Sequence, residues 1–206
     1  MRLLFRSMVA TGLALGSCGP SVAQSGSVAT ANDAAGTFID DLADRAFAVL
    51  RESGSKPVVR AKFRALLREN FAVESSGNRL IRRYRSQITP AQLAAYQAAL
   101  PEYIVNVYAD RLYDYSTADV KIIRSVARGS TGMADVYSRI TVANRKPLDV
   151  IWTVQRGAGR YMISNVTVSG VNLALTQEAD FSSYIAKNGF DALVAFLKTS
   201  NMRPAA

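Results

Sequence analysis

The hydrophobic period of this chain changes twice, which argues against both an all-helical bundle and an all-β barrel. From Thr37 to Tyr113 apolar residues recur at helical spacing. After Tyr115 they alternate at every second residue as far as Val168, and from Thr176 the helical spacing returns. Helices, then strands, then helices read as an α+β fold. A length of 206 residues suits one domain, and 49% apolar content is enough for a real core.

The helical stretches have legible ends. Phe38, Leu42, Phe47 and Leu50 form one stripe, with Asp40 and Asp41 placed to complement the dipole of a helix opening at Thr37. Gly54 and Pro57 end it. A second helix is expected from Val58 to Asn70 and a third from Ser76 to Arg85. Thr89-Pro90-Ala91-Gln92 predicts a helix start, with Thr as N-cap, Pro at the first position and Gln completing a capping box. Pro101 is expected to kink or restart that helix. Tyr103, Ile104, Val107, Tyr108 and Leu112 then share one face up to Tyr113.

In the strand region, Val120, Ile122 and Arg124 alternate with their neighbours. So do Ala134, Val136, Ser138, Ile140 and Val142, and then Val150, Trp152 and Val154. Next, Tyr161 and Ile163 share one parity but Val166 and Val168 share the other. A shift of one residue flips every side chain, so a bulge or bend is predicted near Ser164-Asn165. Glycine-rich turns at Gly129–Gly132 and Arg156–Gly159 connect an antiparallel meander of four strands, or five. Neither turn opens a helix, as a phosphate cradle would require. An amphipathic helix follows from Thr176 to the Asn188-Gly189 stop, and a short one from Phe190 to Lys198.

Residues 1–23 carry Arg2 and Arg6, a short apolar run and a small-x-small site at Ser21-Val22-Ala23, the pattern of a secretory signal peptide. Leu15-Gly16-Ser17-Cys18 also fits a lipobox, in which Cys18 would be lipidated. Residues 24–36 read as a disordered leader, 37–201 as the folded domain and 202–206 as a tail. Losing Arg2 and Arg6 lowers the net charge from +9 to +7. Export without disulfides points to a bacterial periplasm.

There is no histidine and one cysteine, Cys18. Imidazole catalysis, Ser-His-Asp triads, His-ligated metal and zinc clusters are thereby excluded. Asp110, Asp114 and Asp119 cluster near the helix-to-sheet junction, where paired carboxylates could do acid/base work or simply be solvated. Arg60, Lys62, Arg64, Arg68, Arg79, Arg82, Arg83 and Arg85 form a basic run suited to phosphate, an anionic membrane or an acidic partner. Solubility charge explains it as well. Export makes nucleic acid a poor partner.

The ordered set Tyr161, Ile163, Asn165, Val166, Val168, Gly170, Val171 and Asn172, followed by Phe181, Ile185, Gly189, Leu193 and Leu197, resembles the MlaC-type (toluene-tolerance) family signature. Phe63–Leu67 and Tyr108–Ser116 also resemble family segments. Tyr161, Asn165 and Asn172 stand where the family usually has Trp, Asp and Ser. The resemblance implies a monomeric periplasmic carrier, not an enzyme. It would hold a glycerophospholipid in an apolar cavity between helices and a twisted sheet, with no catalytic residue, metal or cofactor beyond that cargo. It would shuttle lipid between an outer-membrane lipoprotein complex and an inner-membrane MCE-domain ABC transporter, maintaining outer-membrane asymmetry. Leu67, Tyr108, Leu112, Ile140, Val150, Trp152, Val154, Ile163, Val166, Val168, Phe181 and Ile185 are the expected lining. An ordinary filled core would use the same residue types. Alternatives are a hopanoid or other lipid as cargo, a small cavity enzyme using Asp114 or Asp135 with a Tyr, or an interaction module built on the Arg-rich helices.

Overall fold

The computed structural model describes residues 26–52, 55–113, 117–157 and 159–202, without the side chains at 26–33, 56, 60, 105 and 108–113. The signal segment, Asp114 and the last residues of the tail lie outside that range, as do the side chains of Tyr108, Asp110 and Leu112.

The order is α1 (Gly26–Arg51), α2 (Lys56–Asn70), α3 (Val73–Leu80), a 3₁₀ turn at Arg82–Tyr84, and α4 (Pro90–Tyr113). Five strands follow: β1 (Asp119–Ala127), β2 (Met133–Thr141), β3 (Leu148–Gly157), β4 (Arg160–Val168) and β5 (Val171–Asn172). Then come α5 (Leu173–Asn188) and α6 (Phe190–Met202). The strands pair in sequence order as one antiparallel meander.

Several element ends match their sequence signals. The capping box at Thr89 is made in both directions: Gln92 N–H donates to Thr89 Oγ1 at 3.2 Å, and Thr89 N–H donates to Gln92 Oε1 at 2.9 Å. Gly189 ends α5 with φ 85°, its N–H on the Ile185 carbonyl at 2.8 Å.

Other ends differ. Helix α1 is already helical from Gly26, across the expected leader, so Asp40 and Asp41 sit mid-helix and not in a first turn. Small residues hid this part: Ala35 is fully buried, and a Cβ at Gly36 would come 3.0 Å from Ser125 Oγ on β1. Close approach of helix to sheet needs small side chains, which leave no large apolar stripe to read. Pro101 lies inside a continuous α4 and does not restart it. It forfeits one backbone N–H, but Leu100 before it and Tyr103 and Ile104 after it pack on the same helical core. Arg124 is not on the inner face. A bulge between Ile122 and Arg124 turns it outward over the Tyr137 ring, 4.2 Å from its centroid. The expected third helix breaks after Leu80 into the 3₁₀ turn, and α5 opens earlier, at Leu173. Asn172 caps it, accepting from Leu175 N–H at 3.0 Å. Asn caps as well as Ser does, so that departure from the family pattern keeps the function of the position.

Two main cores result. Ala35, Ile39 and Leu42 of α1 pack on Ala134, Val136, Val154 and Ile163 of the sheet. Tyr96, Leu100, Phe181, Leu193 and Leu197 anchor the second, among α3 to α6. Leu67 lies in a smaller cluster with Phe63, Phe71, Val73 and Ile104.

Candidate functional site

Strand register builds one apolar sheet face. Val136, Trp152 and Val166 lie in one cross-strand row, and Ser138, Val150 and Val168 in the next, with Ile140 beyond them. Pairing shifts at Thr153/Val154, opposite Ser164, so Ile163 and Val166 face the same way despite opposite parity. The predicted bulge is therefore present where the parity breaks.

One end of this face is filled by α1, which buries Val154 and Ile163 to 0% and 1% exposure. At the other end Ile140, Trp152, Val166 and Val168 stay half-buried. Ile140, Val150 and Val168 belong to neither main core. Buried Ser138 is the polar point on this end, and it accepts from Trp152 Nε1–H at 2.9 Å. That bond pins the indole across the strands.

Of the expected lining residues, the sheet thus gathers Ile140, Val150, Trp152, Val154, Ile163, Val166 and Val168 on one face. Leu67 is buried in the small cluster beside them. Phe181 and Ile185 instead belong to the helical core. Phe181 also borders a recess of about 440 Å³ with Tyr103, Tyr184 and Phe196. Rings there are close-packed: Tyr103 and Phe181 are 6.1 Å apart, Tyr184 and Phe196 5.3 Å.

A larger recess, about 780 Å³, opens between the α2–α3 corner, α4 and the β3–β4 hairpin. Phe71, Val73, Pro101 and Met162 supply apolar wall, and Arg68 and Glu74 supply charge. Sequence reasoning missed this site. Phe71 and Val73 sit at a helix break, where no period exists to mark them, and Arg68 was one of many basic residues.

The basic run is largely engaged within the fold. Arg64 donates to Glu102 at 2.6 Å, and Lys62 pairs with Glu52. Arg82 and Arg83 lie 3.1 and 3.8 Å from Glu178, whose carboxylate is nearly buried. The Arg68 and Arg85 guanidinium groups hold no hydrogen bond or ion pair among the described residues. Asp119 is exposed on β1. Asp135 points to the outer sheet face, accepting from Arg128 at 2.7 Å and Thr153 Oγ1 at 2.8 Å. Among the described residues no three His, Cys, Asp or Glu side chains gather as a metal site. No described helix is long and apolar enough to cross a membrane.

Comparison with known proteins agrees with this architecture. A phospholipid-binding protein from Ralstonia solanacearum, solved in complex with a phospholipid, superposes with a TM-score of 0.68. It covers 81% of this chain and 96% of its own at 21% identity, a likeness of fold. The toluene tolerance protein ttg2D of Pseudomonas putida is 24% identical over 110 residues, 53% of this chain and half the length of that relative. The family model described as MlaC protein matches residues 40–199. The chain belongs to the MlaC family.

Proposed function

We propose that this protein is a periplasmic carrier that binds a glycerophospholipid, its acyl chains against the half-buried sheet face. The observation that carries the reading is the row Trp152–Val166 with Ile140, Val150 and Val168 beside it. Ile140 and Val168 are half-buried and belong to neither main core, while Trp152 and Val166 keep half-buried apolar surface at the edge of the α1 core. Each acyl CH₂ laid on such surface gains roughly 0.8 kcal/mol. The phospholipid bound by the Ralstonia relative on the same fold supports it. The cargo passes between an outer-membrane lipoprotein complex and an inner-membrane MCE-domain ABC transporter, and the exchange maintains outer-membrane lipid asymmetry. A carrier breaks no bond and needs no nucleophile, in keeping with the absence of histidine.

The test is native mass spectrometry of protein purified from the periplasm, followed by uptake from phospholipid vesicles. Co-purified phospholipid, stoichiometric and exchangeable with vesicles, is the expected result. Repeated lipid-free preparations that also take no lipid from vesicles would overturn it.

A further inference from the structure

Strand β5 is a free edge of the sheet, and apolar surface reaches it. Val171 pairs with Val168, so the cross-strand row Ser138, Val150 and Val168 ends on Val171, on the same face. Val171 is 53% exposed, and Leu175, in the first turn of α5, is 61% exposed. The corner between them is fixed, because Leu175 N–H donates to Asn172 Oδ1 at 3.0 Å.

Basic side chains stand beside this corner. One turn on from Leu175, Glu178 holds two exposed arginines of the 3₁₀ turn, Arg82 at 3.1 Å and Arg83 at 3.8 Å. The Tyr84 hydroxyl donates to the Ser182 carbonyl at 3.0 Å, so the turn lies along the Leu175–Glu178–Ser182 face of α5. Two guanidinium groups share one carboxylate, and exposed Arg85 adds a third cation. Asp180 lies on another face of the helix, along the recess with Tyr103 and Phe196. A guanidinium fork matches phosphate oxygens. Apolar side chains rimmed by cations fit the head-group boundary of an anionic bilayer. Two aliphatic side chains are a small share of the roughly 20–30 residues that a protein interface takes from each side, whereas a bilayer surface asks for no shape match.

We propose that the β5–α5 corner docks the protein on an anionic phospholipid bilayer, with Arg82 and Arg83 on lipid phosphates and Val171 and Leu175 entering between head groups. Docked in this way, the apolar row of the sheet meets the bilayer at its Val171 end. The docking stands on the corner alone; passage of an acyl chain along the row rests on the carrier reading.

The exported chain is floated with vesicles of phosphatidylethanolamine and phosphatidylglycerol, and with neutral phosphatidylcholine vesicles, in low and high salt. Wild-type protein should float with the anionic vesicles, stay behind with the neutral ones, and be released as salt screens the arginines. Arg82→Gln and Arg83→Gln, each of which leaves Glu178 one partner, should weaken binding about two- to fivefold. Leu175→Asp should weaken it about tenfold. Val171→Asp is read alongside it, and circular dichroism checks both folds. Wild-type affinity in a folded Leu175 or Val171 variant, or equal binding to neutral vesicles, overturns the docking. Lipid uptake without flotation overturns it, leaves the carrier reading standing and turns the arginines toward an acidic protein partner. Flotation without lipid uptake upholds the docking and overturns the carrier reading.

Discussion

The Arg79 guanidinium donates to the backbone carbonyl of Ser164 at 3.0 Å, joining α3 to the β4 bulge. Ser76 Oγ reaches the same oxygen, also at 3.0 Å. A bulge releases backbone groups from the ladder, and a buried carbonyl needs a partner. Here a helix supplies two, and the bulge becomes the point where helices are fastened to the sheet.

Because the two donors share one acceptor, their removal should not be additive. Arg79→Ala or Ser76→Ala alone should cost about 0.5–1.5 kcal/mol. The double variant should lose more than the sum, since the buried Ser164 carbonyl then keeps neither donor. Urea unfolding of the four proteins measures the coupling; strict additivity would count against a shared role.

Which features were legible beforehand follows from what a period can encode. The bulge was readable because Ile163 and Val166 have opposite parity yet both must face the core. The capping box was readable because Thr89 and Gln92 act over three residues. The packing of α3 was not, because Gly77 and Ala72 show nothing until a neighbour is placed against them. The same holds for the recess beside Arg68: its wall comes from five elements, and no local spacing joins Phe71 to Met162. Phe181 and Ile185 belong to the helical core, and Phe181 also borders the recess beside it; composition reads the same for core and for lining. Only the packing distinguishes the two.

Gly77 should tolerate no side chain. It is buried where α3 crosses α4, and a Cβ there would run into the Leu100 side chain. Gly77→Ala should destabilise by about 1–3 kcal/mol through overpacking. Leu100→Ala in the same chain should recover part of that loss by making room. Thermal unfolding checks both, and a stable single variant would show that Leu100 moves aside freely.

Tyr96 should make the fold sensitive to alkali. Its ring is fully buried, its hydroxyl donates to the Gly77 carbonyl at 3.0 Å, and burial pushes the phenol well above its ordinary value near 10. The folded state therefore favours the protonated form. Its contribution is complete below the unfolded value and is lost as pH rises beyond it, when the unfolded chain ionises first. Tyr96→Phe should cost about 1–3 kcal/mol at neutral pH through the unpaired carbonyl. It should also flatten the fall in stability above pH ~10. Denaturant melts from neutral to alkaline pH test it, and parallel curves for the two proteins would assign the alkaline loss elsewhere.

Trp152 is the sole tryptophan of the chain, so its fluorescence reports on the half-buried sheet face. Val166 sits directly across from it on β4. If acyl chains lie on this face, removing lipid exposes the indole to water and shifts its emission to longer wavelength. Val166→Asp places a carboxylate against the chains, and burying it without a partner is costly. Lipid retention should fall while the fold survives, because position 166 is only half-buried. Ile123→Asp is the control, since that side chain is 54% exposed on the edge strand. Extraction and phosphorus quantification of the purified variants decide it. Full retention by folded Val166→Asp protein would remove this row from the lipid wall, whereas loss in the Ile123 variant as well would point to a general defect.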